Sequence, residues 1–284
     1  MNSPLVSTSW LADHLNDKNL RIVDIRGKVL PATEPPPHYF SHRDDYTTSH
    51  IPNAVFVDWT VDIIEPDSPS NDIASSDRFA ALMGILGIDS NTVVVIYDDA
   101  QSMFAARLWW GLQYYGHEQV YVLDGGWNKW VAEALPTDSL SPQVEQKTFI
   151  PQLNSGLGAT AVDIVTKLES GDMQLVDVRS PKEFAGEASR AKLMGHIPHA
   201  VNVPRGTMVA DDATLLAKDE LIAHFSKFGI KLDAPDTVIY CNSGVSASYG
   251  MLAMQVAGAK NVRVYDGSWK EWGNDASKPI VKSE

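Results

Sequence analysis

The only cysteine of the chain, Cys241, lies where a strand should turn into a helix. Residues Thr237 to Tyr240 form a β-branched and aromatic run that is typical of a buried strand. From Ser248 onward, strong helix formers alternate with apolar residues at three- and four-residue spacing. A tight strand-to-helix turn directs backbone N–H groups and the positive end of the helix dipole at the sulfur. This setting lowers the pKa of a thiol and favours a nucleophile, although a lone cysteine is also often just a small buried apolar residue.

Composition excludes several other classes of protein. With 44% hydrophobic and 21% charged residues, the chain can bury ordinary cores, and its net charge of −13 argues against nucleic acid as a partner. One cysteine excludes an internal disulfide, a cysteine zinc cluster and a dithiol pair, so no metal or organic cofactor is implied. No signal peptide and no stretch long enough to span a membrane is visible, so we expect a cytoplasmic protein without a membrane partner.

The second half of the chain repeats the first. Four segments recur in the same order, at a separation that falls from 153 residues (Val23 to Val176) to 142 residues (Asp124 to Asp266). The pairs are Val23–Arg26 with Val176–Arg179, His50–Val55 with His196–Val201, Thr92–Tyr97 with Thr237–Tyr240, and Val120–Trp130 with Val262–Trp272. Ordered matches with a slow drift indicate a tandem duplication with loops of different length.

Each copy is predicted to be an α/β domain with a mostly parallel sheet flanked by helices on both faces, because strands and amphipathic helices alternate. We place the N-terminal domain at 1–136, a linker at 137–160 and the C-terminal domain at 161–284, since 137–160 is rich in Pro, Ser and Gly. A polar insertion from Pro35 to His50 is expected to be a surface loop near the domain interface.

The second copy is expected to carry the chemistry. Ligands of parallel sheets bind beyond the carboxyl ends of the strands, where this copy has Asp177, Arg179, Cys241 and Asp266. Aligning Tyr97 with Tyr240 places Asp98 opposite Cys241, and a carboxylate does not replace a thiolate. The first copy is therefore predicted to be catalytically degenerate and to contribute a wall at the interface.

These motifs together resemble the tandem-domain rhodaneses, the thiosulfate and 3-mercaptopyruvate sulfurtransferases. The resemblance runs from Leu5 to Trp272 and includes two His-Ile-Pro and two Asp-x-Arg motifs, Asp-Gly-Ser-Trp269 and Cys241-x-x-Gly-Val-Ser. It implies that Cys241 takes a sulfane sulfur from a small-molecule donor, holds it as a persulfide, and passes it to a thiol or cyanide. The acceptor would be a small thiol or a thioredoxin-like protein. Backbone N–H groups would stabilise the persulfide anion.

The loop also bears on the donor. Thiosulfate-type members of the family usually have cationic residues just after the cysteine, whereas mercaptopyruvate-type members have a neutral loop with a hydroxyl at the position of Ser243. The sequence Cys241–Ser246 carries no charge, which favours 3-mercaptopyruvate, but Asn242 and Ser246 depart from the usual Gly and Thr. The stretch from Arg179 to Gly186 is closer to bacterial thiosulfate-type members, so thiosulfate stays the alternative donor.

The resemblance assigns roles to further residues. The loop residues Asn242, Gly244, Val245 and Ser246 would contact the substrate. Arg179 would bind the carboxylate or sulfonate of the donor, unless it only pairs with Asp177 or Glu183. Arg190 would supply a second cation, unless it is an ordinary solvated surface charge.

A proton relay is also implied. By resemblance, His50 would reach across the domain interface to Ser243, with Asp44 or Asp45 as a third member. The alternative is that His50, like His196, caps a turn. Asp266 would position the cysteine loop, and Arg107 would either neutralise Asp98 or face the cleft.

Two rival functions are weighed against sulfur transfer. A cysteine phosphatase needs an arginine closing its loop, but the six residues after Cys241 end at Ala247. A non-catalytic module that binds or senses persulfide is the rival from another class, and absence of turnover would identify it.

Overall fold

A computed structural model describes residues 3–168 and 170–282. In the first half, the strands are β1 (Leu5–Val6), β2 (Leu20–Asp24), β3 (Gly27–Val29), β4 (Tyr39–Ser41), β5 (Ala54–Phe56), β6 (Val93–Tyr97) and β7 (Val120–Leu123). The helices of this half are α1 (Thr8–His14), α2 (Arg43–Thr48), α3 (Ser76–Ile85), α4 (Met103–Tyr114) and α5 (Gly126–Ala132).

The second half repeats this order of elements without a counterpart of the β3–β4 pair. Its strands are β8 (Gly158–Ala159), β9 (Gln174–Asp177), β10 (Val201–Asn202), β11 (Thr237–Tyr240) and β12 (Val262–Tyr265). Its helices are α6 (Ala161–Lys167), α7 (Pro181–Ala185), α8 (Lys218–Lys227), α9 (Val245–Ala257) and α10 (Ser268–Trp272), with 3₁₀ turns at Ser155–Leu157 and Arg205–Met208.

Each half is built on a five-stranded parallel sheet. The first has the order β1-β7-β6-β2-β5, and the second has the matching order β8-β12-β11-β9-β10. Asp24 pairs with Tyr97 in the first sheet, as Asp177 pairs with Tyr240 in the second. This equivalence confirms the predicted α/β fold, and it brings the carboxyl ends of β9, β11 and β12 to one edge.

The two halves pack together through α4 and α9. Met103 to Leu112 of α4 is a continuous buried run, and α9 is buried over most of its length, because each helix is covered by its own sheet and by the other helix. One apolar cluster extends through both halves and includes Trp109 and Met251. The two halves therefore share a buried apolar core at this helix pair.

Two segments differ from expectation. The segment predicted to be a linker ends in β8, an edge strand of the second sheet, and it also contributes Asp138, which bridges to His50. The insertion of the first half starts earlier than predicted and is partly ordered as the antiparallel β3–β4 hairpin followed by α2. No helix within residues 3–168 and 170–282 is long and apolar enough to cross a lipid bilayer.

Candidate active site

The cysteine loop is shorter than the sequence pattern suggested, because α9 begins at Val245 rather than near Ser248. Its first turn therefore supplies the free N–H groups that a helix N-terminus leaves unpaired. The amides of Ser243, Ser246 and Ala247 hydrogen-bond to the Cys241 sulfur. Gly244, at φ +76°, makes the left-handed turn that allows this curl.

Ser268 holds this loop in place, and the sequence analysis missed it. Its hydroxyl accepts hydrogen bonds from the N–H of Cys241 (3.1 Å) and of Gly244 (3.2 Å) and donates to the Tyr265 carbonyl (2.7 Å). A signal was available, because the first copy has Gly126 at the position of Ser268. This is a difference between the copies right behind the reactive loop.

The predicted lowering of the Cys241 pKa is wrong. Burial raises the pKa of the thiol, since the residue is only 3% exposed and its anion loses hydration. The amides of Ser243, Ala247 and Ser246 and the charge of Arg107 lower the pKa, but they do not outweigh burial. The prediction named the stabilising groups correctly and left out the depth of the sulfur.

Cys241 lies in a cavity of about 450 Å³ between the two halves. The second half provides the loop and the residues that follow β9. The first half provides one apolar wall, formed by Val29, Leu30, Pro31, Tyr39, Trp59 and Met103. The insertion is thus part of the cavity, since residues of the β3–β4 hairpin cover the cysteine, and the expectation of a simple surface loop is corrected.

Arg179 lines the cavity, but its guanidinium is used for structure. Its Nε and Nη2 donate to the carboxylate of Asp177, at 2.6 Å for Nη2, and Nη2 also donates to the Gly195 carbonyl (2.8 Å). The first copy has the same arrangement, with Arg26 bound to Asp24 and to the Ser49 carbonyl. Because the first copy, which has Asp98 in place of the cysteine, retains it, this pair serves the fold. Among the described residues, Arg179 Nη1 has no hydrogen-bond partner and is left for a ligand.

Arg190 is part of the cavity wall, contrary to the alternative of a solvated surface charge. Its Nη2 donates to the Leu30 carbonyl, its guanidinium lies over the Tyr39 ring, and its Nε is 4.0 Å from Glu183. The buried Nη1 has no hydrogen-bond partner among the described residues. Arg190 thus connects the hairpin of the first half to the second half and still has the two N–H bonds of Nη1 to offer to a ligand.

Arg205 is a second cation of the cavity, and the sequence analysis did not single it out. Its guanidinium lies 5.4 Å from the Tyr249 ring centre and donates to Gln101 of the first half (3.2 Å). Its Nη1 is buried and lacks a partner within the described part of the chain. Burial lowers the pKa of this guanidinium. The first copy has Trp59 at the equivalent position, which was the available signal.

Gly244 does not line the cavity, because its Cα packs against Asp266 and Arg107 on the other side of the loop, so its predicted substrate contact is wrong. The remaining loop residues line the cavity, as the sequence analysis expected. Ser243, Val245 and Ser246 line the cavity beside Cys241, and the Ser246 hydroxyl contacts the Met103 sulfur at 3.4 Å. Asn242 also lines it, with its amide nitrogen bound to Glu183 (2.8 Å) and its Oδ1 buried without a partner among the described residues. The floor around the sulfur therefore carries hydroxyl and amide groups and no charge.

The predicted relay through His50 is wrong. His50 is fully buried in the first half, where it stacks on Tyr46. Its Nδ1 lies 2.7 Å from the Tyr46 carbonyl and its Nε2 lies 3.3 Å from the Leu140 carbonyl. Both ring nitrogens thus face backbone carbonyls, so the alternative of a turn histidine applies, as it does for His196 with the Phe184 carbonyl.

The carboxylates considered for this relay lie elsewhere. Asp44 and Asp45 lie in the first turn of α2, and Asp45 approaches His42, not His50. Asp266 is beside the cysteine loop as predicted, and it pairs with Arg107. Arg107 therefore neither neutralises Asp98 nor faces the cleft, which replaces both alternatives considered for it.

This arrangement suits covalent catalysis by a thiolate. A nucleophile is directed into a cavity between the two halves, donors surround the position of its anion, and guanidinium groups on the walls attract an anionic substrate. In the part of the chain that the structure describes, no three His, Cys, Asp or Glu side chains are grouped so as to hold a metal ion.

Comparisons with known proteins agree with this chemistry. A sequence profile of the rhodanese-like domain matches residues 7–133 and 160–275. The chain is 34% identical to the sulfur carrier protein TtuD of Thermus thermophilus, covering 99% of this chain and 97% of that protein. It is 30% identical to the 3-mercaptopyruvate sulfurtransferase of Escherichia coli K12 (97% and 96%) and 31% identical to the thiosulfate sulfurtransferase of Corynebacterium glutamicum (99% and 91%).

A solved structure resembles the whole molecule. The crystal structure of the 3-mercaptopyruvate sulfurtransferase SseA from Escherichia coli superposes with a TM-score of 0.83 at 29% identity, covering 94% of this chain and 99% of that one. The duplicated sheets, the cysteine loop and these relatives lead to one conclusion. The chain belongs to the rhodanese family, as a sulfurtransferase with two rhodanese-like domains in tandem.

Proposed function

We propose that the protein transfers the sulfur of 3-mercaptopyruvate, through a persulfide on Cys241, to a thiol or to cyanide. The Cys241 thiolate attacks the donor sulfur, the carbon–sulfur bond breaks, and the carbon that keeps the electron pair takes the former thiol proton, so that pyruvate leaves. The acceptor then attacks the outer sulfur and releases the Cys241 thiolate. Atoms and charge balance in each half-reaction, and no external oxidant is needed.

The observation that carries this proposal is the distribution of charge in the cavity. The loop from Cys241 to Ser246 has no charged side chain, while the cations Arg190 and Arg205 lie on the walls. A donor whose reacting end is a thiol and whose far end is a carboxylate matches this division. Identity to relatives does not decide the donor, since the mercaptopyruvate and thiosulfate enzymes named above are similarly related.

Thiosulfate is the second candidate donor. Both Arg190 and Arg205 have a buried Nη1 that is unpartnered among the described residues, and two such groups favour a dianion. A dianion would meet no cation in the loop itself, which is why we rank thiosulfate second.

A comparison of donors tests the proposal. We expect kcat/KM, with cyanide as the acceptor, to be at least about tenfold higher for 3-mercaptopyruvate than for thiosulfate, which corresponds to about 1.4 kcal/mol of transition-state binding. A preference for thiosulfate would reject the proposed donor.

Single-turnover experiments separate transfer from mere sulfur binding. Mass spectrometry after donor treatment should show one added sulfur atom on Cys241, and this addition should disappear in Cys241→Ser with the fold intact. Loading without steady-state release of pyruvate would identify the non-catalytic persulfide module instead.

A further inference from the structure

A buried arginine of the first domain, Arg107, lies under the cysteine loop of the second domain. Arg107 of α4 is 1% exposed, and its Nη1 is 2.5 Å from Oδ1 of Asp266, at the end of β12 in the other domain. Its Nη2 is 3.4 Å from the Asn71 carbonyl, and its guanidinium lies 4.9 Å from the Trp110 ring centre. The guanidinium is therefore fixed from both domains.

Asp266 links this charge to the domain interface. Its Oδ2 accepts a hydrogen bond from the Ile73 amide of the first domain (2.8 Å) while its Oδ1 binds Arg107. Burial raises the pKa of Asp266, and Arg107 opposes that rise. The pair is thus a buried ion pair whose members depend on each other for their charged states.

The ion pair packs directly against the loop that carries the nucleophile. The hydrogen of Gly244 that a side chain would replace points at Asp266 Oδ1 and Arg107 Nη1, and there is no space for even a methyl group. Gly244 follows Ser243, whose amide faces the sulfur. Charge at Arg107 therefore acts on Cys241 across a single layer of backbone, with no water between the pair and Gly244.

The duplication supplies an internal comparison. Helices α4 and α9 end at equivalent glycines, Gly116 and Gly258, and counting back from them places Tyr249 at the position of Arg107. Asp124 is equivalent to Asp266 and accepts the Leu215 amide of the opposite domain (2.9 Å), just as Asp266 accepts that of Ile73.

The reciprocal contact between the domains thus survives without an arginine in this helix position. Arg205 lies over the ring of Tyr249, and it lines the cavity. Among the described residues, an arginine of this helix position lies under the cysteine loop, whereas the equivalent position beside the Asp98 loop is Tyr249.

We propose that Arg107 is a positioning residue for sulfur transfer, which holds Gly244 through Asp266 and stabilises the anionic forms of Cys241 from the domain that lacks a nucleophile. For the persulfide this inference rests on the proposed function, but for the thiolate it does not.

Other charged or titratable groups lie near Cys241 or near Asp266 and must be kept constant in a test. They come from the cavity walls, from the strand beside β11 and from the segment near Asp266, and they are Arg190, Arg205, Glu183, Tyr39, the Arg179–Asp177 pair, Asp72 and Lys270. None of them is altered by the variants below.

The pH dependence of Cys241 alkylation by iodoacetamide tests the proposal in the full-length protein. Removing the cation in Arg107→Met should shift the titration midpoint upward by about one unit, so that the alkylation rate at neutral pH falls about tenfold. Removing the anion in Asp266→Asn leaves the cation unopposed, so the midpoint should shift downward and the rate should rise severalfold. A purely structural pair would predict the same direction for both variants.

Further variants keep the test decisive. Arg107→Lys, which keeps the charge, should recover most of the wild-type rate, and Arg107→Met with Asp266→Asn should return the midpoint close to wild type even if Arg107→Met alone folds poorly. Lys129→Met is the matched control, since Lys129 also pairs across the domains, with Asp212 at 2.9 Å, but on the surface. Its alkylation profile should not change.

The proposal is overturned if Arg107→Met leaves the midpoint unchanged or if both single variants shift it in the same direction. Alkylation requires no sulfur donor. A failure of 3-mercaptopyruvate as a substrate would therefore leave this result intact, and the two proposals fail separately.

Discussion

The loops of Asp98 and Cys241 occupy equivalent places in the two domains, and they use the same backbone groups differently. Asp98 accepts four amide hydrogen bonds, from Ala100 (2.9 Å), Ser102 (2.8 Å), Phe104 (2.7 Å) and Ala105 (2.9 Å). Cys241 faces the amides of Ser243, Ser246 and Ala247, three of the equivalent positions, from a loop that is one residue shorter.

The two loops differ in how far the side chain extends into the group of amides. The carboxylate oxygens of an aspartate are three bonds from Cα, as far as the outer sulfur of a cysteine persulfide. In the first domain, the side chain therefore fills its own anion cradle permanently. In the second domain, the thiol side chain is one atom shorter than a persulfide, so we expect the same group of amides to have room for a transferred sulfur atom. The fold supplies the same group of amides in both domains, and we expect the side chain at this position to decide whether sulfur can be transferred there.

The largest expected effect comes from giving the second loop the side chain of the first. Cys241→Asp should abolish sulfur transfer, with a loss of at least about a thousandfold in kcat, because no nucleophilic sulfur is left. It should nevertheless fold, since a carboxylate finds amides at equivalent positions. Steady-state pyruvate release and chemical unfolding measure the two parts, and an unfolded variant would show that the second cradle does not accept an anion.

Removing the Asp98 carboxylate from the first loop should lower the stability of the protein rather than its sulfur-transfer activity. Asp98→Ala leaves four N–H groups without their acceptor, three of them buried and that of Ala100 partly buried. We expect the free energy of unfolding to fall by about 3–5 kcal/mol, since each lost partner costs about 1–3 kcal/mol before water enters. Asp98→Asn keeps acceptor capacity in one oxygen and should cost clearly less. Denaturant unfolding checks both, and equal losses would mean that the amide contacts do not hold this loop.

The smallest effect is expected from replacing Ser268, which supports the second loop, by the residue found at the equivalent position of the first copy. Ser268→Gly introduces the residue found at Gly126 and removes the acceptor for the N–H groups of Cys241 and Gly244. We expect a loss of about 1–2 kcal/mol of stability and a severalfold slower loading of Cys241. Ser268 has φ +51°, so glycine regains some of this loss, and Ser268→Ala should be the more damaging variant. Unchanged single-turnover loading would show that Ser268 does not order the loop.

Local patterns in the sequence were sufficient for the duplication, the sheets and the strand that delivers Cys241. Periodicity and the ordered repeats depend on contacts within one domain, and the Asp98 position followed from aligning the copies. The start of α9 was missed, because Val245 and Ser246 are poor helix formers that are held in the first turn by the packing of α9 on α4. Propensity alone does not report that packing.

The residues that sequence reasoning misplaced all depend on how the two domains meet. Arg190 becomes a wall residue only because the β3–β4 hairpin of the other domain covers it, and Arg107 finds Asp266 only across the interface. His50 was assigned across that interface by resemblance, whereas Tyr46 and Leu140 of its own half enclose it. Contacts between the domains produce no periodic pattern in the sequence, so they could not be predicted from it.

The burial of Cys241 limits which acceptor molecules can reach its sulfur. Cys241 is only 3% exposed and lies beneath the β3–β4 hairpin of the other domain. We expect a small thiol or an extended peptide terminus to reach its sulfur, and a cysteine on a flat protein surface not to reach it. The chain has no second cysteine to ferry the atom outward. We therefore expect an acceptor to enter the cavity itself, so that its width as well as its reactivity decides whether it can take the sulfur.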